Sequence, residues 1–285
     1  MVLVMSYLFV VLTILSMELT ISQATSRVTF NESSIADYHQ QWMIQFSRVY
    51  SNESEKQMRL EVFKKNLQFI ENFNNKANQS YKLGINEFTD LTEEEFLVTH
   101  TSLIGINETS TSEVFDETMP SWNWNVSNVV GQSKDWRKQG AVTPVKMQGG
   151  CEHAYPYRAK EGGCRSKAKP VMMQIRGFQA VPSNNERALL EAVSRQPVSV
   201  SIAARAASFF HYAGGVYNAP DCGINVNHAV TFVGYGTSPE GIKYWLAKNS
   251  WGKTWGENGY IRLRRDVEWP QGMCGIAQFP CYPIV

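Results

Sequence analysis

Three short boxes hold the side chains of this 285-residue sequence best suited to covalent chemistry. Gln148-Gly149-Gly150-Cys151 carries a thiol just after a carboxamide. Asn227-His228-Ala229-Val230 sets an imidazole at the head of an apolar run, and Lys248-Asn249-Ser250-Trp251-Gly252 puts a second carboxamide beside an indole. A thiol, an imidazole and a carboxamide are the makings of nucleophilic catalysis by cysteine, in which a neighbouring base raises the thiolate fraction. Each box also has a plain structural reading. A histidine that opens an apolar strand is commonly a satisfied core residue, Asn-Ser-Trp-Gly can be a turn with a buried indole, and a glutamine before two glycines can be a surface loop.

The elements that must position these groups follow from the pattern of the chain. Residues 35 to 75 read as helices: Trp42, Phe46 and Tyr50 fall at four-residue steps, and Met58, Val62, Phe69, Ile70 and Phe73 fall on about one face. Residues 101 to 130 are rich in Ser, Thr and Asn and read as a cleavable connector. From Asp135 onward short strands and turns take over. Ser183-Asn184-Asn185-Glu186 has the spacing of a capping box and predicts a helix through Val193. Val198, Val200 and Ile202 alternate with serines as a half-buried strand does, and 228–235, 244–248 and 260–265 are further strands. Helices first and strands later predict an α+β fold.

Bulk properties narrow the function. A net charge of +1 gives no electrostatic case for nucleic acid or an acidic membrane surface. The run from Val2 to Leu19 is apolar with no charge before Glu18, and Ser22-Gln23-Ala24 supplies small residues for cleavage, so residues 1–24 read as a signal peptide. A membrane anchor would want a longer uninterrupted run, which Glu18 breaks. The secretory route leads to the extracellular space or a lysosome or vacuole, with no membrane attachment after cleavage. It makes five glycosylation sequons usable, at Asn31, Asn52, Asn78, Asn107 and Asn125. It also permits disulfides, although five cysteines leave at least one unpaired. Nothing calls for a metal or an organic cofactor, and the chain reads as a monomer.

Two motifs in the helical part identify a resemblance. Glu55, Arg59, Phe63, Asn66, Ile70 and Asn74 match the Glu-x3-Arg-x3-Phe-x2-Asn-x3-Ile-x3-Asn signature of papain-family propeptides, and Gly84, Asn86, Phe88 and Asp90 match its companion motif. Glu55 and Arg59 stand four apart in the favourable order for a helical ion pair, and Phe63 and Ile70 one heptad apart on a packing stripe. Asp135-Trp136-Arg137 through Gln148-Gly149 resembles a mature papain-like amino terminus, followed in family order by the His228 and Asn249 boxes and Trp255-Gly256-x-x-Gly259-Tyr260. The resemblance implies a signal peptide (1–24), a propeptide (25–130) with an inhibitor-type helical domain over about 35–95 and a linker, and a peptidase domain (131–285) acting on proteins or peptides. By resemblance His228 is the base, Asn249 orients its ring, Trp251 shields that hydrogen bond, and Gln148 donates to the oxyanion. Cys222 and Cys274 match a family disulfide, and Phe279 matches a wall of a substrate pocket with a hydrophobic preference.

The resemblance breaks at one junction. Counting from Gln148, the family's nucleophilic cysteine belongs at position 154, which is Ala154, and Cys151 stands where the family keeps a structural disulfide cysteine. The nucleophile should precede the histidine and asparagine by roughly 130 to 150 residues. From position 154, His228 is 74 residues on (228 − 154) and Asn249 is 95 on (249 − 154). A block of roughly 50 to 70 residues is therefore expected to be missing, by difference from that spacing. With it go the central helix whose dipole supports the thiolate and most of the helical half of the peptidase domain. Cys151 and Cys164 resemble the surviving ends of two bridges, and pairing with each other stays open for them. Cys281 has no family counterpart. Cys151 is displaced too far to serve as a stand-in with His153 or His228. The expectation is a papain-type chain without peptidase activity. The alternatives are a pseudoenzyme or inhibitor whose propeptide binds a related cysteine protease, and a product cleared in the secretory pathway.

Overall fold

The computed structural model of the chain describes residues 32–101, 130–145 and 176–284. The leader (1–24), Asn31, Asn107, Asn125, Gln148, Cys151, Cys164 and the junction at 150–155 lie outside the described residues, as does nearly all of the connector.

Two compact units divide the chain, the first ending at Val49 and the second running from Tyr50 to Val285. In the first, helix α1 spans Glu32–Gln45. His39 stacks on Trp42 at 5.7 Å between ring centroids, Phe46 tilts against the same indole at 5.5 Å, and the Arg48 guanidinium lies over it at 5.9 Å. The four-residue periodicity thus overruns the helix: Phe46 is in the turn, and Tyr50 belongs to the second unit.

The second unit opens with α2 (Glu53–Asn74), started by Asn52, whose side chain accepts the Glu55 amide. Phe63, Leu67 and Ile70 are its buried residues, as the heptad spacing of Phe63 and Ile70 predicts. The wider face drawn through Met58 and Phe69 is corrected, since both are exposed; burial follows the neighbouring stripe that carries Leu67. The ion pair expected between Glu55 and Arg59 is also corrected. Glu55 accepts from the Ser51 amide and hydroxyl, whereas Arg59 reaches the Glu95 carboxylate at 2.7 Å and the Asp90 carbonyl at 3.1 Å. A partner held by tertiary structure, half-shielded from water, outcompetes an exposed helical neighbour.

The same logic uses the rest of the motif. Asn66 donates to the carbonyls of Thr89 and Leu91, and Asn74 both donates to and accepts from Leu83. These bonds lash α2 to the chain that follows, namely strand β1 (Tyr81–Leu83) and helix α3 (Glu93–His100), which begins with a Thr92/Glu95 capping box. Tyr50 donates to Asp90 at 2.9 Å, closing the frame at its other end.

The sheet adds β2 (Lys134–Asp135), β3 (Gly177–Ala180), β4 (Val198–Ile202), β5 (Tyr212–Tyr217), β6 (His228–Thr237), β7 (Lys243–Lys248), β8 (Tyr260–Arg264) and β9 (Cys281–Ile284). Its order is β1-β5-β8-β7-β6-β4-β9-β3, with β2 joined to β6. All pairs are antiparallel except β5 with β8. Helices α4 (Glu186–Arg195) and α5 (Ala207–Phe210) complete it. The strand alternation read from residues 198–202 matches the burial of Val198, Val200 and Ile202. The start of α4 differs from the expected box. Asn184 turns at positive φ, so the cap falls to Asn185, which accepts from Ala188. Freed from capping, Glu186 accepts from the Trp245 indole at 3.0 Å and the Asp266 amide at 2.7 Å. The fold is α+β, with the helical segment first and a β-rich sheet domain after it.

The seam between helical segment and sheet is β1 against β5. Ser80 exchanges two hydrogen bonds with Val216, and Tyr81 wedges between Phe73 and Tyr217 at 4.7 and 4.8 Å. Gly215 permits this approach: at φ +93, a Cβ there would stand 2.5 Å from the Ser80 carbonyl and 2.6 Å from the Tyr81 Cα. Gly215→Ala is therefore expected to cost about 1–3 kcal/mol of stability and to lift β1 off the sheet. Hydrogen exchange at the Val216 amide, read beside that of the central β6–β7 pair, checks it; equal protection in both proteins would refute the account.

Candidate active site

His228 is the first residue of β6 and Asn249 is the first after β7. Because β6 and β7 run antiparallel, with Thr231 opposite Lys248, the start of one strand lies beside the end of the other. That topology brings together two residues 21 apart in sequence, and the His228 Nε2 sits 2.8 Å from the Asn249 Oδ1. The same oxygen accepts the Ser250 amide at 2.8 Å. A backbone N–H can only donate, so the atom facing His228 is the carboxamide oxygen, and Nε2 must carry the proton. Nδ1 is then the imine nitrogen, the one able to accept a proton.

Local bonds fix both ends of this pair. Asn227 is buried, its carboxamide oxygen accepts the Ala204 amide at 2.7 Å, and its backbone N–H donates to the Ile202 carbonyl. Cys222 and Cys274 are bonded to each other, with Cα atoms 5.3 Å apart, and the Cys274 carbonyl accepts from Ala203 beside Asn227's partner. The Asn249 amide donates to Gly259.

Trp251 covers the pair. Its ring stacks on His228 at 4.6 Å and 26°, and it is itself 1% exposed, packed edge-on against Phe96, Phe209 and Trp255. Its indole N–H donates to the carbonyl of His100, the last residue of α3, at 3.1 Å. Phe96, from the same helix, lies between Trp251 and Phe210 at 4.9 and 4.6 Å. The helical segment therefore seals the site. Burial pushes the His228 imidazolium down to about 4; the Asn249 bond opposes this shift, and charge on the nearby His100 adds to it. In the closed state His228 is a neutral base.

Of the residues singled out in the sequence, His228, Asn249 and Trp251 converge. Gln148 is outside the described residues, but the approach to it is not. Lys248 donates to the Thr143 carbonyl and hydroxyl, and Val145 packs over Gly259, so the chain heading toward Gln148 runs past the Asn249 anchor. Asn52 and Asn78 are exposed. Sequence reasoning missed His100, Phe96 and Asn227. Only Asn227 had a signal, as a polar residue directly before an apolar strand.

The match to known proteins covers both parts. Residues 39–96 match the cathepsin propeptide inhibitor domain (I29), and residues 152–284 match the papain family cysteine protease domain. The senescence-specific cysteine protease SAG39 of Oryza sativa subsp. indica is 34% identical over 323 aligned positions, covering 90% of this chain and 93% of that protein. Ananain of Ananas comosus is 35% identical, covering 86% of each. Among solved structures, recombinant stem bromelain precursor has a TM-score of 0.74 at 33% identity, covering 88% of this chain and 99% of its own. The proform of Amb a 11, a ragweed pollen cysteine protease, has 0.76 at 30%, covering 90% and 96%. With the inhibitor-domain segment and the protease-domain segment matched in order, and relatives at 34–35% identity over most of both chains, the chain belongs to the papain family of cysteine proteases.

Proposed function

We propose that this chain is a papain-family proprotein that retains the base and its orienting carboxamide but lacks the nucleophile, and so has no peptidase activity. The observation that carries this reading is Ala154 at the position where the cysteine belongs. The alignment with the rice relative supports it. It runs over 323 positions although this chain has 285 residues, so at least 38 of them (323 − 285) stand opposite no residue here. The protease-domain match also begins only at Glu152, just past Cys151.

In the complete arrangement, His228 Nδ1 would take the thiol proton and return it to the leaving amine. Asn249 would hold the ring, Trp251 would keep water from that bond, and Gln148 would donate to the tetrahedral oxyanion. Protein and peptide chains are the substrates of such sites. No described cysteine can substitute. Cys222 and Cys274 are bonded to each other, and Cys281 pairs with Ser199 on β4, whereas His228 pairs with Ile202. Three residues along a strand are about 10 Å. Residues 1–24 as a signal peptide, 25–130 as propeptide and 131–285 as an incomplete peptidase domain complete the reading, with a secretory destination and glycans at the exposed Asn52 and Asn78.

A second reading is favoured by the intact propeptide frame. Without self-cleavage the propeptide stays attached, and on release it would bind the cleft of a complete relative. In the whole chain β1 already occupies β5, so the intact protein is expected to inhibit poorly.

Recombinant chain should give no turnover of a fluorogenic peptide; turnover abolished by a thiol-directed epoxide would overturn the first reading. Residues 25–118, titrated against a mature papain-like protease, should inhibit at micromolar concentration where the whole chain does not. No inhibition by that segment would sink the second. Asn249→Ala should lower stability by about 1–3 kcal/mol, because it orphans the buried His228 Nε2–H and the Ser250 amide. Denaturant unfolding measures it, and an unchanged midpoint would mean the pair is not closed as described.

A further inference from the structure

Where α2 meets α3 and α5, the packing leaves a cavity of about 500 Å3 that none of the chemistry around His228 uses. Its walls are largely apolar: Met58, Val62 and Phe69 along α2 line it together with Ala207 and Phe210 of α5. Met58 is 50% exposed and Phe69 37%, so both keep apolar surface against water at its mouth. The volume is that of an ordinary small-molecule site, and such sites combine apolar walls with a few placed polar groups.

Tertiary bonds keep the cavity from collapsing. Asn66, one of its lining residues, donates to the carbonyls of Thr89 and Leu91, and Arg59 pairs with Glu95. These bonds fix α2 against the chain entering α3 at two points about two turns apart. Phe210 is equally fixed: its ring stacks on Phe96 at 4.6 Å and 25°, and its carbonyl accepts from Asn86 and Trp255. Neither wall can close on the other without leaving a shielded polar group unsatisfied. The space is preformed.

Three charged side chains stand at this cavity, Glu61 and Lys65 of α2 and Glu93 of α3. Glu61 is taken up by Lys64 at 3.0 Å and by Gln57 at 3.0 Å. The Glu93 carboxylate and the Lys65 ammonium make no ion pair or hydrogen bond among the described residues. An apolar space therefore carries an uncommitted anion on one helix and an uncommitted cation on the other.

We propose that this cavity binds a short apolar peptide with both ends free, its ammonium at Glu93, its carboxylate at Lys65 and its side chains among Met58, Phe69 and Phe210. A blocked apolar molecule would gain only burial, and a polar zwitterion only rim charge contacts, which are individually weak. A peptide of two or three apolar residues gains both, and it matches the volume better than a single amino acid does. Binding here needs neither His228 nor a nucleophile.

The test titrates the full chain with the dipeptide Phe-Leu, its N-acetylated form, its C-terminal amide and diglycine, following methyl and aromatic NMR shifts. Phe-Leu should give saturable shifts, acetylation or amidation should each weaken binding roughly two- to fivefold, and diglycine should not bind. Phe69→Ala should weaken Phe-Leu on the order of tenfold. Glu93→Gln should erase the preference for a free amino end and keep that for a free carboxylate, and Lys65→Gln should do the converse. No saturable shift at millimolar Phe-Leu, equal binding of free and blocked forms, or variants that leave both preferences intact would overturn the proposal. Should Phe69→Ala fail to fold, the two charge variants, which alter only exposed side chains, decide by the same comparison.

Discussion

One backbone carbonyl joins the two halves of the second unit. The Phe210 oxygen accepts the Asn86 carboxamide at 2.7 Å from the propeptide side and the Trp255 indole at 3.1 Å from the sheet side. Both donors are buried, so each would carry a desolvation penalty if the acceptor moved. Trp255 packs edge-on to Trp251, which stacks on His228. Displacing Phe210 would therefore loosen the propeptide and uncover the histidine together. The position of the Trp251 indole and the docking of the helical segment are one structural condition.

That coupling explains why so much aromatic surface gathers at one place. Phe96 from α3, Phe209 and Phe210 from α5, and Trp251 and Trp255 from the loop after β7 make mutual contacts between 4.6 and 5.7 Å. Aromatic pairs of this kind add to area burial through edge and face electrostatics. The cost is borne by the two buried histidines, His228 and His211, at the edge of the cluster. Both are held neutral, His228 with one hydrogen bond and His211 with none.

The sequence was most legible where one residue's neighbours decide its state. The alternation at 198–202 marked β4, and the order of the histidine and asparagine boxes marked a pair that the antiparallel β6–β7 arrangement then joins. Legibility failed where a side chain's partner lies far along the chain. Arg59 prefers Glu95, 36 residues away, to Glu55 on its own helix, and Glu186 serves Trp245 and Asp266 instead of a cap. Tyr50 continued a helical spacing but is recruited by Asp90. In each case the local rule described a small exposed interaction, and a partly buried one outweighed it.

The retention of His228, Asn249 and Trp251 in an ordered arrangement does not depend on a thiol. Nε2–H is buried and needs an acceptor; the Asn249 side-chain oxygen supplies it while also taking the Ser250 amide, and the Asn249 backbone N–H is committed to the Gly259 carbonyl. The indole roof is held by His100 above and by Trp255 and Phe209 at its edges. These contacts come from β6, the loop after β7, α5 and the end of α3. The need of the buried His228 Nε2–H for an acceptor is sufficient to hold the pair, although the Asn249 Nδ2 has no hydrogen-bond partner among the described residues. An intact histidine and asparagine are therefore weak grounds for inferring peptidase activity, and the position counted from Gln148 is the stronger one.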